Sequence, residues 1–227
     1  MNAPHPKSPQ EYAQELERVL AQCLQPLKNI PFKAAIRAVS NCAVLDFDAD
    51  NAAHKALAEK IRIAAIAAGK EIFAKGIFTA RPNEAGNEIE PFVKVALLAE
   101  GLPAKTPVTL SGKAKAAGYP DIEVTGDVPF YLECKTYNLK NVETTQRAFY
   151  FSPSEQFKVT RNALHLLLAF QLEKTIREGK AAFVPVHWKL ITLQDLMVDL
   201  KHEFNQHNRN MYGSGAAKAL IAEADIQ

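Results

Sequence analysis

Cysteine is scarce. The chain has three, Cys23, Cys42 and Cys134, among 227 residues. They are odd in number and form no Cys-x-x-Cys pair, which argues against a disulfide framework and a cysteine-built zinc site. Long apolar runs are missing as well. The longest candidate, around Leu164–Phe170, is interrupted by His165, and a membrane span needs roughly 18 apolar residues. The opening residues, MNAPHPKSPQ, hold no apolar core of an export signal. These absences lead to the expectation of a cytoplasmic protein. There is no internal repeat and no low-complexity block. Net charge is only +2, so overall charge selects no partner. Hydrophobic residues make up 48% and charged residues 23%, so a core can be built and a wholly disordered chain is excluded.

The distribution of charge is more informative than its sum. From Glu84 to Cys134 there are eight acidic against four basic side chains, and from Lys135 to Lys189 nine basic against four acidic. Two solvated faces of opposite sign are the plain meaning. An acidic segment followed by a basic one can also hold a cation and a polyanion side by side.

Helical signals dominate the first third. Ser8, Pro9 and Glu11 form a capping box with proline at the first helical position, and an apolar stripe from Tyr12 to Leu27 follows. Phe32–Val39 is ambiguous between short helix and strand. Asp50 can cap an alanine-rich helix over 51–68, ended by Gly69. No chemistry is visible there. A helix is expected over Glu88–Glu100, with Pro91 near its first turn or kinking it. Ser154 to Glu178 is expected to be a long helix, Phe183–Ile191 a strand, and Leu193–Phe204 a helix.

Between them lies Gly118-Tyr119-Pro120-Asp121-Ile122-Glu123-Val124-Thr125-Gly126-Asp127-Val128-Pro129-Phe130-Tyr131-Leu132-Glu133-Cys134-Lys135. Two β-rich runs flank the turn signal Thr125-Gly126-Asp127, which predicts a hairpin. Strand alternation puts Phe130, Leu132 and Cys134 on one face, and Tyr131, Glu133 and Lys135 on the other. A carboxylate and an ammonium therefore point the same way, and Asp121 comes from the neighbouring strand. Two carboxylates so placed suit a hard divalent cation such as Mg²⁺. A nearby lysine can orient water or offset charge developing on phosphate. These parts suit metal-assisted phosphodiester hydrolysis.

Pro120-Asp121 followed by Glu133-Cys134-Lys135 resembles the signature of the PD-(D/E)XK nuclease superfamily, which includes many type II restriction endonucleases. The resemblance covers about residues 86–190. It implies a mixed sheet flanked by helices, Mg²⁺ held by Asp121 and Glu133, and a catalytic Lys135. It also implies an upstream acidic residue in a Gly-x-x-x-Glu setting. Gly86-Asn87-Glu88-Ile89-Glu90 supplies it and favours Glu90 over Glu88 as a further metal and catalytic carboxylate. In-line attack of water, leaving a 5′-phosphate and a 3′-hydroxyl, is implied in the same way.

Further candidates are individually weaker. Glu123 shares a strand face with Asp121 and reads as a solvated residue or an extra site carboxylate. His165 reads as a satisfied helix histidine, and His187 as a packed or rim residue. His202 and His207 are five apart and do not share a helix face. For DNA, Lys158 and Arg161 are three apart on the expected helix and can share a face toward a phosphate. Asn205-Gln206-His207-Asn208-Arg209-Asn210 offers six side chains able to bond base edges, Asn208 and Arg209 among them. A polar loop is its commoner meaning.

The sequence thus leads to an α/β fold with a helical N-terminal subdomain over 1–80 and a nuclease core over 81–227. The expected function is Mg²⁺-dependent cleavage of double-stranded DNA by a type II restriction endonuclease-like protein. It is expected to act as a homodimer, because one site per subunit must pair to cut both strands of a palindrome. The competing readings are a structure-specific or RNA-directed nuclease on the same core and a non-catalytic nucleic-acid-binding protein.

Overall fold

The computed structural model describes residues 8–25, 27–79, 85–114, 118–145, 148–154 and 156–201. The chain divides into two units, Ile30–Val198 and a smaller one drawn from Met1–Asn29 and Asp199–Gln227. In the smaller unit, α1 (Pro9–Cys23) starts as the capping box predicts. Ser8 Oγ accepts the Glu11 backbone N–H at 3.3 Å, and Glu11 Oε2 accepts that of Ser8 at 2.7 Å. No α1 side chain is buried. β1 (Leu27–Pro31) and β8 (Met197–Leu200) pair as a two-stranded sheet. Within it the Asn29 backbone N–H donates to Asp199 Oδ1 at 2.9 Å.

The larger unit is built on a six-stranded mixed sheet. Its strands are β2 (Val44–Leu45), β3 (Ala104–Lys105), β4 (Ile122–Val124), β5 (Phe130–Tyr137), β6 (Ala163–Arg177) and β7 (Lys180–Thr192). The order is β2-β6-β5-β4-β3, and β7 also pairs with β6. β5 runs parallel to one edge of β6, matching Phe130 with Leu164 through to Tyr137 with Gln171. β7 is antiparallel to β6. The predicted hairpin is present as β4–β5, with Ile122 opposite Leu132 and Val124 opposite Phe130.

Three helices accompany the sheet: α2 (Phe32–Ser40), α3 (Ala52–Lys75) and α4 (Ala85–Ala99). α3 is capped by Asn51, whose side chain accepts from the Ala53 and His54 N–H groups, one residue beyond the expected Asp50. It runs through Gly69 and ends at Gly76, where φ is +73°. A Cβ on Gly69 would lie 3.4 Å from Phe170 Cε1, so this glycine lets α3 close onto β6. Pro91 lies inside α4, on its exposed side, and the helix continues past it.

Alternation along β5 divides the core as the sequence predicts. Phe130, Leu132 and Cys134 pack with Leu166, Leu168 and Phe170 of β6 against α3 and α4 residues such as Ile61, Ile72, Ile89 and Leu97. Tyr131 belongs to a second cluster with Phe32, Ile36, Tyr119, Phe157 and Val159. Burying each such large side chain contributes roughly 1.5–3 kcal/mol.

Two expected helices are strands instead. The opening Ser152-Pro153-Ser154-Glu155 and the apolar positions Phe157, Leu164, Leu167, Leu168 and Phe170 predict a helix from Ser154 to Glu178, yet Ala163–Arg177 is β6, between β5 and β7. A central strand covered on both faces reads as a continuous apolar run, without the two-residue period that marks a half-exposed strand. The pairing partners overrode local helix propensity. The sequence also predicts a helix over Leu193–Phe204, but Met197–Leu200 is β8, and residues 202–204 lie outside the described residues. Phe183–Ile191 is a strand as expected, within β7. Among the described residues no helix is long and apolar enough to cross a membrane.

Candidate active site

The β4–β5 hairpin brings Asp121, Glu133 and Lys135 together. Asp121 immediately precedes β4, and its Oδ2 accepts the Cys134 backbone N–H at 2.8 Å. Lys135 Nζ donates to Glu133 Oε1 at 2.5 Å, as expected for side chains two apart on one strand face. Glu133 is 3% exposed, and its Oε2 has no hydrogen-bond partner among the described residues. Cys134 points away into the core, 4% exposed. It is a poor nucleophile, since burial and then the charges of Asp121 and Glu133 push its thiol well above its usual range.

The electrostatics are those of two acids crowded in a poorly solvated place. Burial, followed by the charge of Asp121, pushes the Glu133 carboxyl up to about 7. Asp121 is raised as well, chiefly by burial; the Cys134 N–H and the Lys135 charge work against that shift. For Lys135, burial is the largest influence and favours the neutral amine. Together, the charge of Glu133, its hydrogen bond and the charge of Asp121 outweigh burial and leave the ammonium raised.

An orphaned, buried carboxylate oxygen beside a second carboxylate is what an oxygen-seeking divalent cation would satisfy. The donor set therefore fits such an ion. Among the described residues, no group of three Asp, Glu, His or Cys side chains converges on one ion. Glu90, on α4, is drawn to Lys94 at 2.9 Å, although its charge reaches Asp121. Glu88 is exposed in the first turn of the same helix.

The remaining candidates are scattered. Lys158 and Arg161 do not share a helix face; both lie in the irregular segment that leads into β6. Lys158 is 1% exposed and presents no ammonium at the surface. Arg161 Nε is 2.9 Å from Glu123 Oε1, and Lys105 Nζ is 3.7 Å from Glu123 Oε2. Glu123 is therefore a buried, ion-paired residue, not a solvated one.

His165 sits on β6, not on a helix; its Nδ1 lies 2.5 Å from the Tyr119 hydroxyl. Burial pushes the imidazole down to about 3, so it is neutral. Asn208 and Arg209, like His202 and His207, lie outside the described residues. A groove of about 630 Å³ between α3 and β7, with Lys55, Arg62 and Trp188 in its lining, shares no residue with the carboxylate cluster.

Sequence reasoning missed the place of Lys158. The charge of this buried residue acts on both Asp121 and Glu133. The helix expected over Ser154 to Glu178 gives Lys158 an outward face; it lies instead in the irregular segment before β6, between the buried Phe157 and Val159.

Comparison with known proteins bears on the same region. Residues 26–215 match the model of the Type II restriction enzyme MjaV family. A curated protein of Methanocaldococcus jannaschii, Type II restriction enzyme MjaV, is 37% identical over 234 aligned positions, covering 95% of this chain and 98% of the relative. No solved structure matches.

Proposed function

The chain belongs to the Type II restriction enzyme MjaV family, and from that premise we propose that it cuts double-stranded DNA at the hairpin site formed by Asp121, Glu133 and Lys135. The observation that carries this reading is the Asp121–Glu133 pair, raised toward neutrality by burial, with Glu133 Oε2 left unsatisfied. Such a pair is costly unless a cation joins it. The arrangement supports a PD-(D/E)XK-type site, and Mg²⁺ is the proposed ion.

When bound, a divalent cation supplies Lewis acidity and neutralises charge on a phosphodiester. Asp121 and Glu133 are the residues that would hold it. The Cys134 N–H fixes Asp121 through Oδ2. Glu133 is fixed through Oε1 by Lys135, which leaves Oε2.

Lys135 is 29% exposed at its side chain. Anchored to Glu133, it places a positive charge and N–H donors beside the attacked phosphate, where they orient water and offset developing negative charge. Glu90 is proposed in a supporting role, through its charge at Asp121. Arg161, 45% exposed, is proposed as a phosphate contact, and Asn208 and Arg209 as base-reading residues.

A homodimer is the proposed state, since two symmetry-related sites cut both strands of a palindrome together. The test is incubation of purified protein with varied plasmid and genomic DNA in Mg²⁺ and in EDTA. Discrete, reproducible bands in Mg²⁺ alone are expected. A smear would favour unspecific or structure-directed cleavage, and intact DNA would favour a binding protein without activity.

A further inference from the structure

The face of the sheet that carries Glu133 and Lys135 does not end at β5. Strand register continues it across β6 to β7: Lys135 is opposite Ala169, and Ala169 is opposite Lys189. Residues paired in this way point to the same side of a sheet. The neighbours of Lys189 agree, since Trp188 and Leu190 pack on the other side, against the core shared with α3 and α4. Lys189 therefore stands level with Lys135, two strands away, and neighbouring strands lie about 4.8 Å apart. The β6 residue between them is alanine, so no long side chain of β6 separates the two lysines.

The Lys189 side chain leans inward, toward β5. Its Nζ lies 5.3 Å from the centre of the Tyr137 ring, and Tyr137 is the next residue after Lys135 on the same face of β5. The lysine and the tyrosine thus meet across β6, beside the hairpin site. Lys189 is nonetheless exposed. A cation over a ring at an exposed site is held only weakly. The ring orients the ammonium and leaves it N–H donors for a phosphate. Lys135 differs, because its ammonium is held by Glu133 at 2.5 Å inside the site.

We propose that Lys189 is a DNA-binding residue, the contact for a phosphate flanking the one cut at the hairpin, so that the strand is held across the sheet from β5 toward β7. This rests on the reading of the hairpin as the cutting site. Such a contact contributes salt-dependent affinity and reads no sequence. A lysine that only covers Tyr137 would leave the salt dependence of binding untouched.

The experiment measures binding in Ca²⁺, as a function of salt, to a duplex that contains a mapped cut. The proteins are wild type, Lys189→Met, Lys189→Arg and Lys180→Met. Methionine keeps an apolar stem beside Tyr137 and removes the charge. Lys180, also exposed, stands at the opposite end of β7 and controls for net charge. Lys189→Met is expected to lower the slope of log affinity against log salt by about one, and to weaken binding roughly fivefold to tenfold at about 0.1 M salt. Lys189→Arg and Lys180→Met should keep the wild-type slope. Duplexes carrying one uncharged methylphosphonate near the cut then locate the contact. At a flanking position that weakens wild type, Lys189→Met should bind no more weakly than it binds unmodified DNA.

An unmoved slope in Lys189→Met overturns the contact, as does an equal fall in Lys180→Met or Lys189→Arg. A methylphosphonate effect that is the same in wild type and Lys189→Met at every flanking position overturns its place beside the cut. The hairpin is scored separately, by cleavage of the same duplex in Mg²⁺. Cleavage that is lost in Asp121→Ala, together with an unmoved slope in Lys189→Met, removes the contact and leaves the hairpin site standing. Cleavage that survives in Asp121→Ala, with the Lys189→Met slope lowered, keeps the DNA contact and overturns the hairpin reading on which its place depends.

Discussion

The Cys134 backbone N–H donates to Asp121 Oδ2 at 2.8 Å, joining the two halves of the site across the hairpin. Asp121 stands just before β4, whose Ile122 pairs with Leu132, so its carboxylate reaches over β5 beside Glu133. The peptide group that holds Asp121 lies between the residues that supply the second carboxylate and the lysine. Any shift of the β4–β5 register would separate Asp121 from Glu133 and Lys135, which stay together on β5.

Lys135 should matter for the chemical step and little for binding. Lys135→Ala and Lys135→Arg are each expected to lose about a hundredfold or more in single-turnover cleavage in Mg²⁺. Arginine keeps the charge but cannot place it at the 2.5 Å contact with Glu133 Oε1 that lysine makes. DNA affinity measured in Ca²⁺ should change far less. Normal cleavage by Lys135→Ala would make the Glu-x-Lys pattern incidental.

At the proposed metal site, Glu133 should tie cation binding to pH. Its carboxyl lies near 7, raised by burial and then by Asp121 from an ordinary 4.5. Below that value it holds a proton that an incoming cation must displace. Ca²⁺ affinity should therefore rise from pH 6 to pH 8, and calorimetry in buffers of different ionisation heat should show proton release at pH 6 that vanishes at pH 8. In metal-free protein, the native state binds a proton between about 4.5 and 7 that the unfolded state has released. This contribution to stability is present below 4.5 and is lost as pH rises through 7. Affinity that is flat across this range contradicts the assignment.

Arg161 should contribute to stability through Glu123. Removing its guanidinium leaves a carboxylate that is 1% exposed with, among the described residues, Lys105 as its remaining ion-pair partner, 3.7 Å away. Arg161→Ala is expected to cost about 1–3 kcal/mol, and Glu123→Gln in the same chain to recover part of that. The measurement is the urea midpoint at unchanged slope. An unmoved midpoint would return Arg161 to a purely surface role.

The hairpin was legible because alternation has a visible signature when only one face is apolar. Phe130, Leu132 and Cys134 against Tyr131, Glu133 and Lys135 gave the faces, and Thr125-Gly126-Asp127 gave the turn. α1 was legible through its capping box. β6 was not. Ala163 to Leu172 is covered on both faces, so its period vanished, and its leucines and alanines also favour helix. The expected helix puts Lys158 on an outward face with Arg161, toward a phosphate or solvent, whereas the structure buries it. The burial of Glu123 was hidden for another reason: its partners Arg161 and Lys105 are distant in sequence, and only the folded sheet brings them together.

The most direct test of the site is to remove its carboxylates one at a time. Asp121→Ala and Glu133→Ala should each reduce single-turnover cleavage in Mg²⁺ by about a thousandfold or more. DNA binding in EDTA should stay at least as strong as wild type, because a negative charge facing the phosphate is gone. Cleavage by either variant at close to the wild-type rate would contradict the assignment of the hairpin as the catalytic site.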